Sequence, residues 1–347
     1  MNWWAIVLAF LISLMLTPVV KKLAPRLGAL DRPDARKVHT GVIPRLGGLA
    51  IFVGFIAGYL AVGGGEPAFR GMLWGASLIF LVGLADDIRS LNPRWKLAGQ
   101  VAAALLVVIM GVRVEFLTNP FNGLLFLGPL AIPVTLLWLV GVTNALNLVD
   151  GLDGLAGGTA FIAAVTMSII AWLQQEVAVA LLALVLAASI LGFLPYNFHP
   201  ASIFMGDSGS MFLGFTLASL AVLGLTKTAT VISLFVPVVI LGLPILDTFL
   251  AIVRRILNHR PLFQPDKGHL HHCLMAQGLS QRQAVLIIYV VNIILGASAI
   301  LLTRLATDQA MVILILLTFF ALWGGNKLGV TGYRFKPSKT RRNAFPF

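Results

Sequence analysis

The 347 residues are 59% hydrophobic and only 11% charged, which excludes a chain built around one large water-soluble core. The single cysteine excludes a disulfide framework and any metal site made from paired CxxC motifs. The formal net charge of +12 suits either nucleic acid or an anionic membrane surface, so the position of the charges along the chain has to decide between them.

Apolar blocks recur along the chain, and most approach the roughly 17–25 residues that a transmembrane helix needs. Several are apolar on every face, whereas the strands of a membrane barrel alternate apolar and polar residues. The first block is followed by Lys21 and Lys22 and has no basic residue before it, so we expect an uncleaved span. We predict an all-α polytopic integral membrane protein with about eleven transmembrane helices, at approximately residues 3–20, 44–62, 70–85, 97–112, 131–146, 158–175, 177–195, 210–226, 230–253, 283–303 and 309–325.

Turn residues interrupt this pattern between the fourth and fifth predicted spans. Asn-Pro and Asn-Gly pairs stand at residues 119–120 and 122–123 between short apolar runs, and such pairs are typical of tight turns. We therefore predict a small hairpin within residues 114–133, on the outer side of the membrane.

The basic residues indicate how the chain is oriented. If successive loops alternate between the two sides, 21 of the 25 Lys and Arg residues lie on one side. The positive-inside rule makes that side cytoplasmic, with the N-terminus outside and the C-terminus cytoplasmic. Residues 1–326 are predicted to form a single membrane domain and residues 327–347 a basic tail on anionic lipid. This distribution explains the positive charge without nucleic acid.

Acidic residues gather on the same side. A charged side chain in or near a span costs about 2.5–3.5 kcal/mol on insertion scales, so acids retained there usually mark a substrate or ion path. Several of them together predict a site at the cytoplasmic face. Nine of the 13 acids lie in or beside the predicted cytoplasmic loops: Asp31, Asp34, Asp86, Asp87, Asp150, Asp153, Asp207, Asp247 and Asp266.

Asp86 and Asp87 close the third predicted span. Two acids at a helix C-terminus oppose the helix dipole, so helix stability does not explain them. Neighbouring helical residues point about 100° apart, and we expect one Asp to face a site while the other orients a neighbour. The alternative is that both are solvated loop residues paired with Arg89 or Arg94.

The segment NALNLVDGLDGLAGG (144–158) places Asn144, Asn147, Asp150 and Asp153 at every third position between apolar spans. On a regular helix these side chains would drift by about 60° per step and could not share a face. The glycines predict a helix end and a tight turn that lets backbone approach a ligand. An ordinary Asn/Asp/Gly turn is the alternative.

Asp207 lies in FMGDSGS (204–210), at the start of the eighth predicted span. It could simply cap that helix. The same turn could offer free N–H groups to a phosphate and a carboxylate to a cation. Oxygen ligands beside phosphate favour Mg²⁺, with Mn²⁺ as an alternative.

Three histidines, His269, His271 and His272, stand in the last cytoplasmic loop near Arg260. Their spacing is not the i, i+4 pair of zinc hydrolases, and we interpret them as ligands for an anion or a sugar. Arg45 ends a dense run of mixed charge in the first loop, which suits an anion held at the lipid surface.

Together, these groups predict phosphoryl transfer between a soluble phosphate donor and a lipid acceptor, because cation ligands and phosphate-binding side chains meet at the membrane surface. An ion-coupled transporter is a second hypothesis, although it would place acids near mid-span and on both sides of the midplane. A non-catalytic lipid-binding scaffold is a third, and it leaves the acid-rich loops unexplained.

Five motifs in order resemble the polyprenyl-phosphate N-acetylhexosamine-1-phosphate transferases: DRPDARKVHTGVIPRLGG (31–48), GLADD (83–87), NALNLVDGLDGLAGG (144–158), FMGDSGS (204–210) and GHLHH (268–272). The resemblance implies a Mg²⁺-dependent enzyme of the bacterial plasma (inner) membrane with a cytoplasmic active site. It also implies transfer of N-acetylglucosamine 1-phosphate from UDP-N-acetylglucosamine to undecaprenyl phosphate, releasing UMP. The alternative is the phospho-N-acetylmuramoyl-pentapeptide transferase branch of peptidoglycan synthesis, which usually has three consecutive histidines in the last loop. The transfer would be the first membrane step of a cell-envelope polysaccharide, namely O-antigen, common antigen or a teichoic-acid linkage chain. Which of these lies downstream, and whether the protein is a homodimer, are left open.

The resemblance also implies roles for individual residues. Asp86 would be the base that deprotonates or places the lipid phosphate, with Asp87 as its neighbour. Asp207 would be the principal metal ligand and Asn147 a second one. Direct attack and a covalent aspartyl intermediate both remain open. The residues expected to bind substrate are Asn147, Asp150, Asp153, Arg260, His269, His271, His272 and Arg45.

Overall fold

The computed structural model describes residues 3–33, 41–63, 65–119, 123–225, 235–259, 261 and 268–328. Within these residues the chain is predominantly helical, with only four short strands, which confirms the predicted all-α class. The helices are α1 (Trp3–Leu23), α2 (Gly48–Val62), α3 (Pro67–Arg89), α4 (Pro93–Ile109), α5 (Ala131–Val149), α6 (Leu155–Leu173), α7 (Val177–Asn197), α8 (Gly206–Leu220), α9 (Phe235–Ile240), α10 (Gly242–Leu257), α11 (Leu270–Ala276), α12 (Gln281–Leu302) and α13 (Thr307–Lys327).

The described residues include eight helical segments that are long and apolar enough to cross a membrane, so the protein is polytopic. Two further predicted spans correspond to the shorter helices α2 and α4. The total of eleven spans and the side on which each terminus lies stay predictions. The eight segments are Trp3–Leu27, Pro67–Arg89, Gly128–Val149, Leu155–Leu173, Val177–Asn197, Gly206–Gly224, Gln281–Leu302 and Thr307–Lys327.

The ninth predicted span, residues 230–253, differs from the structure. Where it is described, the chain forms two helices, α9 and α10, that meet at Leu241. Pro244 explains the break, because its ring removes one N–H and clashes with the carbonyl four residues earlier in a continuous helix. Residues 230–234 of this predicted span lie outside the described part.

Four short strands supplement the helices. β3 (Phe116–Asn119) and β4 (Gly123–Phe126) pair antiparallel, which confirms the hairpin predicted between α4 and α5. β1 (Leu30–Asp31) and β2 (Ile43–Pro44) also pair antiparallel and bring the two ends of the first loop together.

Helix α8 is the most buried of the candidate spans, and neighbouring helices pack against it. Its Phe212 makes edge-to-face contact with Phe52 of α2, with ring centroids 5.4 Å apart. Phe52 also stacks on Phe80 of α3 at 4.1 Å. Such aromatic pairs contribute about 0.5–1.5 kcal/mol each beyond the area they bury. The three helices are therefore held together by one aromatic cluster.

Glycines allow α8 to approach its neighbours closely. A Cβ atom at Gly83 of α3 would lie 2.5 Å from the Ser208 Cα, and one at Gly214 of α8 would lie 2.9 Å from the Thr143 Cα of α5. Small residues at such contacts are the usual means of packing helices in membranes. The C-terminal ends of α3 and α5 consequently meet the N-terminal end of α8, and the polar motifs come together there.

Candidate active site

Asp87 holds the beginning of α8. Its side chain is buried, its Oδ1 accepts the Asp207 N–H at 2.8 Å, and its Oδ2 accepts the Ser208 N–H at 3.0 Å and hydroxyl at 2.6 Å. Gly206 precedes these donors at φ +75°, and a Cβ there would lie 2.5 Å from the carboxylate. A carboxylate at the positive end of a helix is stabilising.

This contact corrects two interpretations of FMGDSGS. The helix begins at Gly206, with Asp207 in its first turn, so Asp207 is not the N-cap. The N–H groups expected to meet a substrate phosphate instead donate to Asp87 of the protein itself. The alternative that Asp87 is a solvated loop residue is also wrong, because its side chain is buried.

Asp86 turns away from Asp87, as expected for adjacent helical residues. Its Oδ1 accepts the Leu91 N–H at 2.7 Å, and its Oδ2 lies 3.4 Å from the ammonium of Lys96. The two carboxylates thus have different partners, as expected for neighbouring helical residues, and their separate roles in the site stay predictions. The ion-pair partner of Asp86 in the described residues is Lys96, neither Arg89 nor Arg94.

Lys96, in the first turns of α4, is surrounded by oxygens from three other helices. Its Nζ contacts Asp207 Oδ2 and lies 3.4 Å from both Asp86 Oδ2 and Asn147 Oδ1. Asn147 also donates from Nδ2 to Asp207 Oδ1 at 3.1 Å and to Ser210 Oγ at 2.8 Å. Two carboxylates and one carboxamide oxygen therefore converge on one positive charge.

One helical turn further along, a pair of carboxamides joins α4 to α5. Gln100 donates to Asn144 Oδ1 at 3.2 Å, and Asn144 donates back to Gln100 Oε1 at 2.7 Å and to the Val140 carbonyl at 2.8 Å. Gln100 is buried. Because Lys96 and Asn147 lie one turn away on the same two helices, this pair fixes their relative position.

A cavity of about 280 Å³ opens beside this cluster. Asp150 lies on its wall, and burial raises the pKa of Asp150 to about 8, with further contributions from Asp207 and Asp87. Asp153 has partners within the protein, because its Oδ2 accepts the Ala201 N–H at 3.0 Å and lies 2.8 Å from His199 Nδ1. The cavity lining comprises Asp31, Arg45, Asp87, Asp150, Gly151, Leu152, Asp153, Asn197, Phe204, Gly206, Asp207, His272 and Gln281.

Arg45 spans the gap between the first loop and α3. Its Nε and Nη2 donate to the Asp87 carbonyl at 3.2 and 2.9 Å, and its Nη1 lies 4.0 Å from Asp31 Oδ1. A guanidinium at the negative end of a helix is favourable. Arg45 therefore supports the C-terminus of α3 while its side chain also lines the cavity.

The three histidines occupy different environments. His269 is buried, with Nδ1 2.8 Å from Asp247 Oδ2. His271 is also buried, and burial, reinforced by His272, lowers the pKa of His271 to about 3. His272 alone of the three lines the cavity. Arg260, the remaining predicted substrate ligand, lies outside the described residues.

Comparison with known proteins places this geometry in a family. The model for glycosyl transferase family 4 matches residues 69–225, which run from the first turn of α3 through α8. The chain is 45% identical to the probable undecaprenyl-phosphate N-acetylglucosaminyl 1-phosphate transferase of Bacillus subtilis, over 96% of this chain and 94% of that protein. The chain belongs to glycosyl transferase family 4.

Two other members of the family are more distant. The decaprenyl-phosphate N-acetylglucosaminephosphotransferase of Mycobacterium tuberculosis is 40% identical over 81% of this chain and 77% of its own. The undecaprenyl-phosphate alpha-N-acetylglucosaminyl 1-phosphate transferase of Yersinia pestis is 30% identical over 91% of this chain and 88% of its own. The similarity thus extends well beyond the matched segment of α3 to α8.

The structure of this family member brings most of the predicted site residues to one end of the helices. Sequence reasoning missed Lys96, which the positive-inside rule explained as an ordinary loop charge. It noted Asp31 and Asp247 as cytoplasmic acids without giving either a place in the site, and it did not consider Gln100. A polar residue one turn after Lys96 on an otherwise apolar helix was a signal for Gln100.

The donor set fits a hard divalent cation. Asp86, Asp207 and Asn147 present oxygens to one point, and such oxygens are the ligands that Mg²⁺ and Mn²⁺ prefer. The described residues contain no group of three or more His, Cys, Asp or Glu side chains suited to a metal. With only two carboxylates, this arrangement matches Mg²⁺ sites that use few protein ligands together with substrate phosphate.

Proposed function

We propose that this protein transfers N-acetylglucosamine 1-phosphate from UDP-N-acetylglucosamine to undecaprenyl phosphate, giving undecaprenyl-diphospho-N-acetylglucosamine and UMP. The observation that carries the proposal is the convergence of Asp86, Asn147 and Asp207 on one positive charge beside an acid-lined cavity. The names of the Bacillus and Yersinia relatives support the sugar and the undecaprenyl acceptor.

Mg²⁺, with Mn²⁺ as an alternative, is the proposed cofactor, held by Asp207 and Asn147, with the Asp86 carboxylate facing the same point. When bound, the metal would neutralise the pyrophosphate of the donor and so stabilise the charge that develops during transfer. Asn147 is well placed for this role, because its Nδ2 donates to Asp207 and Ser210 and thereby turns its Oδ1 toward the same point.

The reaction requires one bond exchange at phosphorus. An oxygen of the lipid phosphate attacks the sugar-linked phosphorus, and the bond from that phosphorus to the bridging oxygen of UMP breaks. Asp86 accepts a proton from the lipid phosphate or places it for attack. Asp87 acts as a positioning residue, because both its oxygens accept hydrogen bonds from the start of α8. These bond changes do not require a covalent aspartyl intermediate.

The cavity is the proposed place for the nucleotide and sugar. Asp150, at its wall, has a raised pKa and in its protonated form could donate a hydrogen bond to the nucleotide. His272 and Arg45 add groups that can donate to phosphate or to sugar hydroxyls. Asp153 is already engaged by His199 and Ala201, so we give it a supporting role in shaping this wall.

The site is proposed to face the cytoplasm of a bacterial plasma membrane, with the N-terminus outside. The distribution of Lys and Arg supports this orientation, since the side that carries the site also carries 21 of the 25 basic residues. A soluble nucleotide-sugar donor is available on that side, and the lipid acceptor lies in the bilayer beside it. A homodimer remains an expectation.

Two other functions can be compared with this one. A phospho-N-acetylmuramoyl-pentapeptide transferase would use the same chemistry, but the sequence His-Leu-His-His at residues 269–272 lacks the three consecutive histidines of that branch. An ion-coupled transporter would need acids near mid-span, whereas Asp86 and Asp207 lie at helix ends.

The test is a product assay with the purified protein in detergent. It would be incubated with Mg²⁺, undecaprenyl or decaprenyl phosphate, and a panel of UDP-N-acetylglucosamine, UDP-N-acetylgalactosamine and UDP-N-acetylmuramoyl-pentapeptide. We expect UMP and a lipid of the mass of undecaprenyl-diphospho-N-acetylglucosamine. No UMP with any pair, together with ion uptake into proteoliposomes, would overturn the proposal in favour of a transporter.

A further inference from the structure

Lys96 has surroundings that its position near a cytoplasmic loop does not require. Most loop lysines point into water, but this side chain is partly buried, with 18% of its surface exposed. Its ammonium contacts Asp207 of α8 and faces Asp86 of α3 and Asn147 of α5. Lys96 thus occupies the point on which the proposed metal ligands converge.

The charges at this point do not balance. Asp86 and Asp207 together carry two negative charges when ionised, and one ammonium offsets only one of them. A divalent cation would offset both. Mg²⁺ also needs its oxygen ligands at about 2.0–2.1 Å, whereas two of the three oxygens lie 3.4 Å from the ammonium. The ammonium and a metal ion therefore cannot share the same place.

We propose that Lys96 is a tethered cation that competes with the divalent metal for the oxygens of Asp86, Asn147 and Asp207. The proposal rests on the metal-dependent function above. The four-carbon stem of lysine is flexible, so the ammonium can withdraw when a metal binds. Lys96 then has two effects: it weakens metal binding, and it holds α3, α5 and α8 together against carboxylate repulsion whenever the metal is absent.

The experiment measures metal binding, which does not depend on turnover. Mn²⁺ binding to the purified full-length protein would be followed by electron paramagnetic resonance, and thermal unfolding would be recorded in EDTA and in Mn²⁺. The variants are Lys96→Met, which removes the charge but keeps the length, and Arg94→Met as a matched control. Arg94 is exposed two residues earlier on the same helix. Asp207→Asn reports whether the binding is at this site.

We expect Lys96→Met to bind Mn²⁺ about tenfold more tightly than the wild type, a difference of about 1.4 kcal/mol. We also expect it to unfold at a lower temperature in EDTA and to regain that stability in Mn²⁺, while Arg94→Met behaves as the wild type. If Lys96→Met can be purified only in the presence of Mn²⁺, that result also supports the proposal, because the metal then replaces the ammonium.

Three outcomes would overturn the proposal, and they separate it from the function. Binding that Asp207→Asn abolishes but Lys96→Met leaves unchanged or weakens would refute the competition and leave the metal site standing. A Lys96→Met protein that cannot be purified even with Mn²⁺ would show that the lysine is needed beside the metal. Equal Mn²⁺ binding by the wild type and Asp207→Asn would overturn both the competition and the proposed metal site.

Discussion

Replacing Asp87 should cost more stability than replacing any other single acid at the site. Asp87→Ala removes a buried carboxylate that accepts three hydrogen bonds, from the Asp207 N–H, the Ser208 N–H and the Ser208 hydroxyl. A buried donor left without a partner costs about 1–3 kcal/mol. The hydroxyl can rotate to another acceptor, so the two N–H groups dominate, and we expect a loss of about 3–5 kcal/mol.

Two further variants separate the contribution of the Ser208 hydroxyl to this loss from that of the two N–H groups. Ser208→Ala removes only the hydroxyl contact, and the Asp87 carboxylate keeps both N–H donors, so we expect a loss of about 1 kcal/mol. Asp87→Asn keeps the shape but offers one acceptor instead of two, and its NH₂ group faces a backbone N–H. We expect it to lose nearly as much as Asp87→Ala, which a loss of volume alone would not explain.

The assay is equilibrium unfolding of the purified protein in mixed micelles at increasing SDS, followed by circular dichroism. The prediction concerns the order of the three variants: Asp87→Ala and Asp87→Asn well below Ser208→Ala, and Ser208→Ala slightly below the wild type. If Asp87→Ala unfolds within about 1 kcal/mol of Ser208→Ala, the view that Asp87 holds the start of α8 is refuted. Asp87 would then have to be reconsidered as a reacting group.

Three other predictions follow from the site. Asp207→Asn should lower turnover by roughly 10²-fold or more, while Asp308→Asn, an exposed acid on α13, leaves UMP release unchanged. Gln100→Leu and Asn144→Leu should each lower turnover, and the double variant should lose less than the combined losses of the two, because either change breaks the same pair. The pKa of Asp150 is raised to about 8 by burial, so the folded state binds a proton more tightly than the unfolded chain. Stability should therefore fall as pH rises from about 4 to 8, and Asp150→Asn should flatten that fall; an unchanged slope in SDS unfolding at several pH values would contradict it.

The existence of the helices was predictable because the apolar blocks are long and the residues at their ends are polar or turn-forming. The hairpin between α4 and α5 was predictable for a similar reason, since Asn-Pro and Asn-Gly pairs act locally. The break at Leu241 was missed, although Pro244 was visible in the sequence. In a strongly apolar segment the hydropathy signal outweighed a single proline, and the local steric effect of that proline decided the structure.

The sequence predicted those site residues that a single motif identifies, but not the contacts between residues of different motifs. Asp86 was recognised as a candidate because an acid at a helix C-terminus opposes the helix dipole, and Asn147 and Asp207 were recognised from the motifs that contain them. The role of Asp87 was not recognised, because it depends on α8 packing against α3 about 120 residues later along the chain. The partner of His269 was missed for the same reason: Asp247 reaches it from another helix.

Lys96 was missed for a different reason. The topology rule accounted for it fully as a loop charge, so no further role was sought. A rule that explains every basic residue on one side of a membrane cannot identify the one that turns inward. The information was three-dimensional, since only the convergence of α3, α5 and α8 gives this ammonium three oxygen partners.

The distribution of partners explains why so many acids can share one end of the molecule. Asp87 is offset by the start of α8, Asp153 by His199 and a backbone N–H, and Asp31 lies 4.0 Å from Arg45. The negative charge that is only partly offset is concentrated on Asp86 and Asp207, at the single ammonium of Lys96. A divalent cation would offset these two carboxylates, which is why we place the chemistry at this point, beside the cavity, and not at the other acids that line it.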